Sequence, residues 1–281
     1  MSQRPPPNAP RPATVDAALE AAGEALRRGR LAEAERLAGG VLKARRADAR
    51  AARLLGQALL LQGKADAAAD ALRPLARRSA DPALETLLAR ALADGGHADA
   101  ALEQLRQATT RRPPYPLAFL ELGDALGRAG RFGEAAEVFE AGLALAPEAL
   151  VLEVGLGFLR LQTDDRAAAR RHFAEVRAAA PERFDAMIGL ARTAALDGAF
   201  AEAAELYRLV LARQPGDVQS RIGLGRCLLE LGDRAAGEAA LREAARLAPD
   251  AAGAALNALA AVPRGRAFLR PSDAERFLGR R

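Results

Sequence analysis

Few side chains in this 281-residue sequence are of a type and spacing that supports bond-making chemistry. The two histidines, His97 and His172, have no second histidine or cysteine at ligand spacing, so a zinc site is not expected and no metal is assigned. The one cysteine, Cys227, excludes an intramolecular disulfide; its position on the inward stripe of a helix reads as a small buried hydrophobe rather than a reactive thiol. Gly-Leu-Gly occurs at 155–157 and 223–225, but within helical patterns and without the strand that phosphate cradling needs. Gly155, Gly189 and Gly223 are spaced 34 apart, which makes them part of a repeat, where a missing side chain allows close helix approach. No cofactor and no enzymatic activity are expected.

The elements that carry these residues recur on one period. Turn positions Gly29, Gly63, Gly96, Gly130, Asp164, Gly198 and Gly232 are followed five residues later by Ala34, Ala68, Ala101, Ala135, Ala169, Ala203 and Gly237. Pro113, Pro147, Pro181, Pro215 and Pro249 close the last five repeats. A period of about 34 held over most of the chain specifies a repeat architecture.

Repeat 4 shows the physics. Leu117, Leu120, Leu122, Ala125 and Leu126 have helical spacing. Gly130 then ends the helix by entering the left-handed conformation. Ala135, Val138, Phe139, Gly142 and Leu143 form the inward stripe of a second helix, with Glu134, Glu137 and Glu140 outward. Pro147 stops it. Each repeat is thus two antiparallel helices joined by a short turn, with Gly123 and Ala135 allowing close approach.

Composition agrees. Half of the residues are apolar, yet tryptophan is absent and aromatics are 4%, so the core must be built from alanine and leucine. The net charge is +5, and apart from Lys43 and Lys64 every basic side chain is arginine. Such a bias can reflect genome composition, so it is weak evidence for nucleic acid. No secretory signal and no run of about 18 apolar residues occurs, which predicts a cytoplasmic protein without a transmembrane segment.

These residues resemble the tetratricopeptide repeat family, whose pattern has a Leu-Gly pair on the first helix, a small residue opening the second, a large apolar residue inside it and a terminal proline. Leu122-Gly123, Leu126, Gly130, Ala135, Phe139 and Pro147 match it well. Repeats 4–7 follow it more closely than repeats 1 and 2, and no repeat has the family's tryptophan. The resemblance covers about residues 15–250 and implies an all-α, right-handed α-solenoid of about seven helix-turn-helix repeats. It further implies that first helices line a concave groove and that the usual role is binding protein or peptide.

On that geometry the central groove positions are Gly23, Gln57, Arg90, Asp124, Phe158, Arg192 and Arg226. Four residues earlier stand Leu19, Arg53, Thr86, Leu120, Val154, Ile188 and Ile222. The candidate peptide-binding residues are Arg53, Gln57, Arg90, Leu120, Asp124, Val154, Phe158, Ile188, Arg192, Ile222 and Arg226. An extended peptide with apolar anchors and acidic flanks suits this series, because arginine grips carboxylates through paired donors. A chaperone-tail clamp is disfavoured, since both asparagines, Asn8 and Asn257, fall outside the array.

The domain organisation expected is a disordered Pro-rich segment at 1–13, the array at 14–250, and a capping helix with a basic tail at 251–281. Ser272 and Glu275 are read as a capping box opening a short helix to Leu278. Gly39-Gly40 and Pro74 sit inside second helices and are expected to fray or bend them, leaving repeats 1 and 2 least stable. Residues 41–61 and 264–281 are basic, whereas 121–153 carry seven acids against Arg128 and Arg131. This arrangement leaves two alternatives to groove binding: self-assembly through the array ends, or attachment of the basic ends to an anionic polymer or membrane surface. Nucleic acid is disfavoured because the acidic middle interrupts any basic track.

Overall fold

A computed structural model describes residues 12–262 and 270–279. The expectations for residues 1–11, the Pro263-Arg264-Gly265 break, Phe268 and Leu269 lie outside the described residues. Within them the chain is all-α, with sixteen α-helices and no strand. None of these helices is long and apolar enough to cross a membrane.

The chain divides into two compact units. The N-terminal unit, residues 1–152, contains α1 (Pro12–Arg27), α2 (Leu31–Ala44), α3 (Ala49–Leu61), α4 (Ala65–Ser79), α5 (Pro82–Asp94), α6 (Ala98–Thr109), α7 (Pro116–Arg128) and α8 (Phe132–Leu145). It also includes the first residues of α9 (Leu150–Gln162). The C-terminal unit, residues 153–281, contains the remainder of α9, then α10 (Arg166–Ala179), α11 (Phe184–Leu196), α12 (Phe200–Arg213), α13 (Val218–Glu230), α14 (Arg234–Leu247), α15 (Ala252–Ala260) and α16 (Pro271–Phe277).

In the N-terminal unit each helix from α1 to α7 packs on the next, and the first helices α1, α3, α5 and α7 also touch in succession. In the C-terminal unit the same holds from α10 to α14, and α11, α13 and α15 touch in succession. First helices therefore form a continuous layer within each unit, and α15 takes the place that the first helix of an eighth repeat would occupy.

Glycine and alanine explain how the helices come so close. The six alanines that follow the turns are each at most 2% exposed. A methyl group on Gly157 would stand 2.7 Å from the Phe173 ring, and one on Gly189 would also collide with it. Phe173 therefore fills a slot made by glycines of two successive repeats. All seven turn positions are left-handed: the six glycines, and Asp164 at φ 60°. Asp48, Asp81, Asp165, Asp217 and Asp233 cap the following helices by accepting a backbone N–H.

Three expectations need correction. First, neither helix breaks or frays at its proline or glycines: α4 is helical without interruption from Ala65 to Ser79 through Pro74, and α2 runs through Gly39-Gly40. Pro74 sits on the exposed side, while Leu72, Leu75 and Ala76 around it are buried and hold the turn in place. Second, Arg270 rather than Ser272 precedes α16, and Pro271 is its first residue, so no capping box forms. Proline takes that position readily because the first helical N–H needs no partner. Third, α1 begins at Pro12, inside the segment expected to be irregular.

Candidate functional site

The candidate residues fall on the first helices, five in one unit and six in the other. In the N-terminal unit Arg53 and Gln57 on α3, Arg90 on α5 and Asp124 on α7 are exposed, and Leu120 is half-buried. Arg90 and Asp124 meet in a hollow of about 690 Å³ between α5, α6 and α7. Leu102 and Leu105 contribute apolar surface, while Asp94, Glu121 and Arg128 add charge of both signs. Enclosure, then the neighbouring Glu121, raise the Asp124 carboxyl above its ordinary value, with Arg128 opposing. Arg53, Gln57 and Leu120 do not line this hollow. Arg53 instead acts on Tyr115: burial raises that phenol, and the Arg53 charge partly offsets the rise.

In the C-terminal unit four candidates converge. Ile188 and Arg192 on α11, with Ile222 and Arg226 on α13, line one hollow of about 800 Å³. Its wall also includes Tyr207 on α12, Asp217 at the start of α13, Cys227 on α13, and Ala254, Asn257 and Ala258 on α15. The Arg192 guanidinium lies 5.5 Å from the centre of the Phe158 ring. Phe158 in turn meets Phe173 edge to face at 4.9 Å. A cation over an aromatic face gains roughly 0.5–1 kcal/mol at an exposed site, enough to favour one side-chain direction without consuming the hydrogen-bond donors. Neither Arg192 nor Arg226 has an acidic partner among the described residues. Val154 is 6% exposed and belongs to the core rather than to this surface.

Two titratable groups on the floor are held neutral. Burial pushes the Tyr207 phenol up to about 12, with the nearby Cys227 adding to the rise and the two arginines opposing it. Burial likewise pushes the Cys227 thiol up to about 11, and Arg226 opposes. Cys227 is 1% exposed, as a packing role requires. At neutral pH the charge of the hollow therefore comes from Arg192, Arg226 and Asp217.

Sequence reasoning missed Tyr207 and Asn257 as wall residues. The period marks Tyr207 as the large core residue of its second helix, and only its packing beneath Gly223 brings its edge into the hollow. Asn257 follows the last full repeat, so nothing in the period placed it beside the groove residues; the packing of α15 on α13 does.

Elsewhere, charged groups engage one another within two clusters. His172 Nδ1 lies 2.9 Å from Glu153 Oε2, and Glu175 is close to both. The imidazole–carboxylate hydrogen bond accounts for this contact. Glu85, 1% exposed, accepts two hydrogen bonds from Arg111 Nε at 3.1 and 3.2 Å and one from its Nη2 at 2.6 Å. This pair fastens the segment after α6 to the first turn of α5.

Comparison with known proteins agrees with this architecture. Family models described as tetratricopeptide repeat match residues 19–82, 86–149 and 155–218, and a second such model matches residues 194–261. No curated protein matches the sequence. Among solved structures, a tetratricopeptide repeat protein from Parabacteroides merdae is 14% identical with a TM-score of 0.64, covering 94% of this chain and 97% of its own. TTC0263, a thermophilic repeat protein of Thermus thermophilus, is 21% identical with a TM-score of 0.55, covering 64% and 98%. Pseudomonas aeruginosa pilF is 20% identical with a TM-score of 0.57, covering 71% and 91%. At these identities the likeness is one of fold.

Proposed function

The chain belongs to the tetratricopeptide repeat family, and on that premise we propose that it is a non-enzymatic scaffold holding an extended segment of a protein partner against its first helices. The observation that carries this reading is the hollow of the C-terminal unit, where Ile188 and Ile222 supply apolar wall and Arg192 and Arg226 supply uncommitted donors. A guanidinium presents a fixed fork of N–H groups that matches a carboxylate. An aliphatic side chain between the isoleucines with an acidic residue beside it would satisfy both features. The Phe158 face keeps Arg192 from collapsing onto the surface, so part of the ordering that binding requires is already in place.

Selection from a displayed peptide library tests this directly. The folded chain should enrich peptides that pair an aliphatic residue with Asp or Glu. The variant Arg192→Glu/Arg226→Glu should bind those peptides at least about tenfold more weakly, because close charge pairs of this kind are worth a kcal/mol or more, with helicity unchanged. Equal binding by the variant, or enrichment without acidic residues, would sink the reading.

A further inference from the structure

In a stack of antiparallel helices, alternate turns fall on opposite edges, and in the N-terminal unit the two edges carry charge differently. On the edge made by turns within repeats, charges pair between neighbouring repeats. Lys64 Nζ lies 2.9 Å from Glu35, and His97 lies 3.8 Å from Asp66. Arg106, in the last turn of α6, also reaches a neighbouring repeat, 3.8 Å from Glu134. The opposite edge is made by the turns between repeats: α2 to α3, α4 to α5 and α6 to α7 are basic, whereas the last, α8 to α9, carries the exposed Glu148. On the three basic turns Lys43, Arg45, Arg46, Arg77, Arg78 and Arg112 are all exposed, and none has an acidic partner among the described residues. The acids on these three turns are already occupied: Asp48 and Asp81 accept from the Ala51 and Ala83 N–H groups, each at 2.9 Å. Residues 1–11, 263–269 and 280–281 contain no Asp or Glu that could neutralise the edge. The Arg111–Glu85 bridge ties the third turn to the helix that follows the second, which keeps these tips together.

Two simpler explanations fall short. Cations in the last turn of a helix offset its dipole by about 0.3–1 kcal/mol each, which covers Lys43, Arg77 and Arg78. Arg112 also serves the end of α6, where its Nη1 donates to the Thr109 and Arg111 carbonyls at 3.3 and 2.8 Å, and Arg45 stands at the C-cap of α2. Only Arg46 has neither role. A general arginine bias would act on both units alike, yet the corresponding turns of the C-terminal unit set Arg177 and Arg213 among Glu182, Asp217 and Asp250.

We propose that this edge docks the N-terminal unit on an anionic lipid surface. Turn tips on long, exposed side chains meet a charged plane together, and each basic residue near such a surface contributes about 1 kcal/mol. Single-stranded nucleic acid would want stacking aromatics. Tyr115, the one aromatic residue on these turns, is half-buried. A polyanion following the first helices would meet Glu121 and Asp124. The proposal is independent of the groove reading.

Vesicle sedimentation with the full chain tests it, comparing phosphatidylcholine alone with phosphatidylcholine plus phosphatidylserine. The chain should bind the anionic vesicles and be released by added salt. Arg45→Glu/Arg46→Glu should weaken this binding at least about tenfold. Arg177→Glu/Arg213→Glu, the same change of net charge elsewhere, should change it less than about twofold by the same arithmetic. The milder Arg77→Gln/Arg78→Gln should lie between, and circular dichroism should show all variants helical. Binding to neutral vesicles as well, no binding to either, or equal loss from both charge-reversal pairs would overturn the proposal. So would tight duplex DNA binding that depends on the same arginines in the absence of vesicle binding.

Discussion

The two units use one repeat to build hollows of similar size and opposite character. In the N-terminal unit the hollow of about 690 Å³ brings Arg90 and Arg128 together with Asp94, Glu121 and Asp124, so its charges can answer one another. In the C-terminal unit the hollow of about 800 Å³ combines isoleucine walls with two arginines and one acid, Asp217, which caps α13 by accepting from the Ser220 N–H rather than pairing with either arginine. The reservation is inverted at the turns, where the N-terminal unit leaves its cations unpaired. A repeat constrains only the positions that must pack. The remaining positions diverge, and each unit can leave charge unanswered in a different place.

The largest effect that sharpens this comparison concerns how the units are fastened. Where the C-terminal unit fills a double-glycine slot with Phe173, the N-terminal unit buries Glu85 against Arg111. Arg111→Ala leaves the buried Glu85 carboxylate without its counter-ion and should lower stability more than loss of an exposed pair would. Urea unfolding followed by hydrogen exchange should place the loss around residues 82–115. Glu85→Gln combined with Arg111→Ala should recover much of it. Unchanged exchange in that segment would show that the bridge holds nothing.

An intermediate effect should appear at alkaline pH and be confined to the C-terminal unit. The folded state holds the Cys227 proton more tightly than the unfolded chain does, moving the thiol from 9.0 to about 11. Stability is thus fully present below the unfolded value and is lost as pH rises from there through the folded one. At roughly 1.4 kcal/mol per unit, that amounts to about 2–3 kcal/mol. Thermal melts from pH 8 to 11 should show the decline, and Cys227→Ala should flatten part of it. A decline of equal size in the variant would assign the loss to other groups, Tyr207 first.

The smallest effect again concerns a turn between repeats. Ala80 holds φ 48° at the end of α4, where repeats 4, 5 and 7 have an Ala-Pro turn. Ala80→Gly relieves left-handed strain of about 1 kcal/mol and should raise the melting temperature by a few degrees. A lower melting temperature would mean that the unfolded chain's added freedom outweighs the strain.

Much of the architecture was legible because a helix pair can bury its apolar faces only if small residues recur where backbones approach. The turn glycines, the buried alanines and Cys227 follow from that rule. Fraying at Pro74 was wrongly expected because a local propensity was weighed without Leu72, Leu75 and Ala76, whose burial keeps α4 continuous. The capping box failed for a related reason: Pro271 starts α16 one residue before Ser272. The groove was only partly legible. Ile188, Arg192, Ile222 and Arg226 share one hollow, whereas Arg53, Gln57 and Leu120 lie outside the hollow that Arg90 and Asp124 line.

The sequence by itself determined the repeat, the helix boundaries to within a few residues and the inward stripe, because periodicity and turn chemistry are local properties of the chain. Only the tertiary structure decided that α15 would stand as one more first helix and bring Asn257 to the hollow. It also decided that Phe158 would lie under Arg192, and that Arg111 would turn inward while Arg112 stays exposed. Those outcomes depend on contacts between residues tens of positions apart, whose partners are chosen by packing and by the cost of burying an unpaired charge.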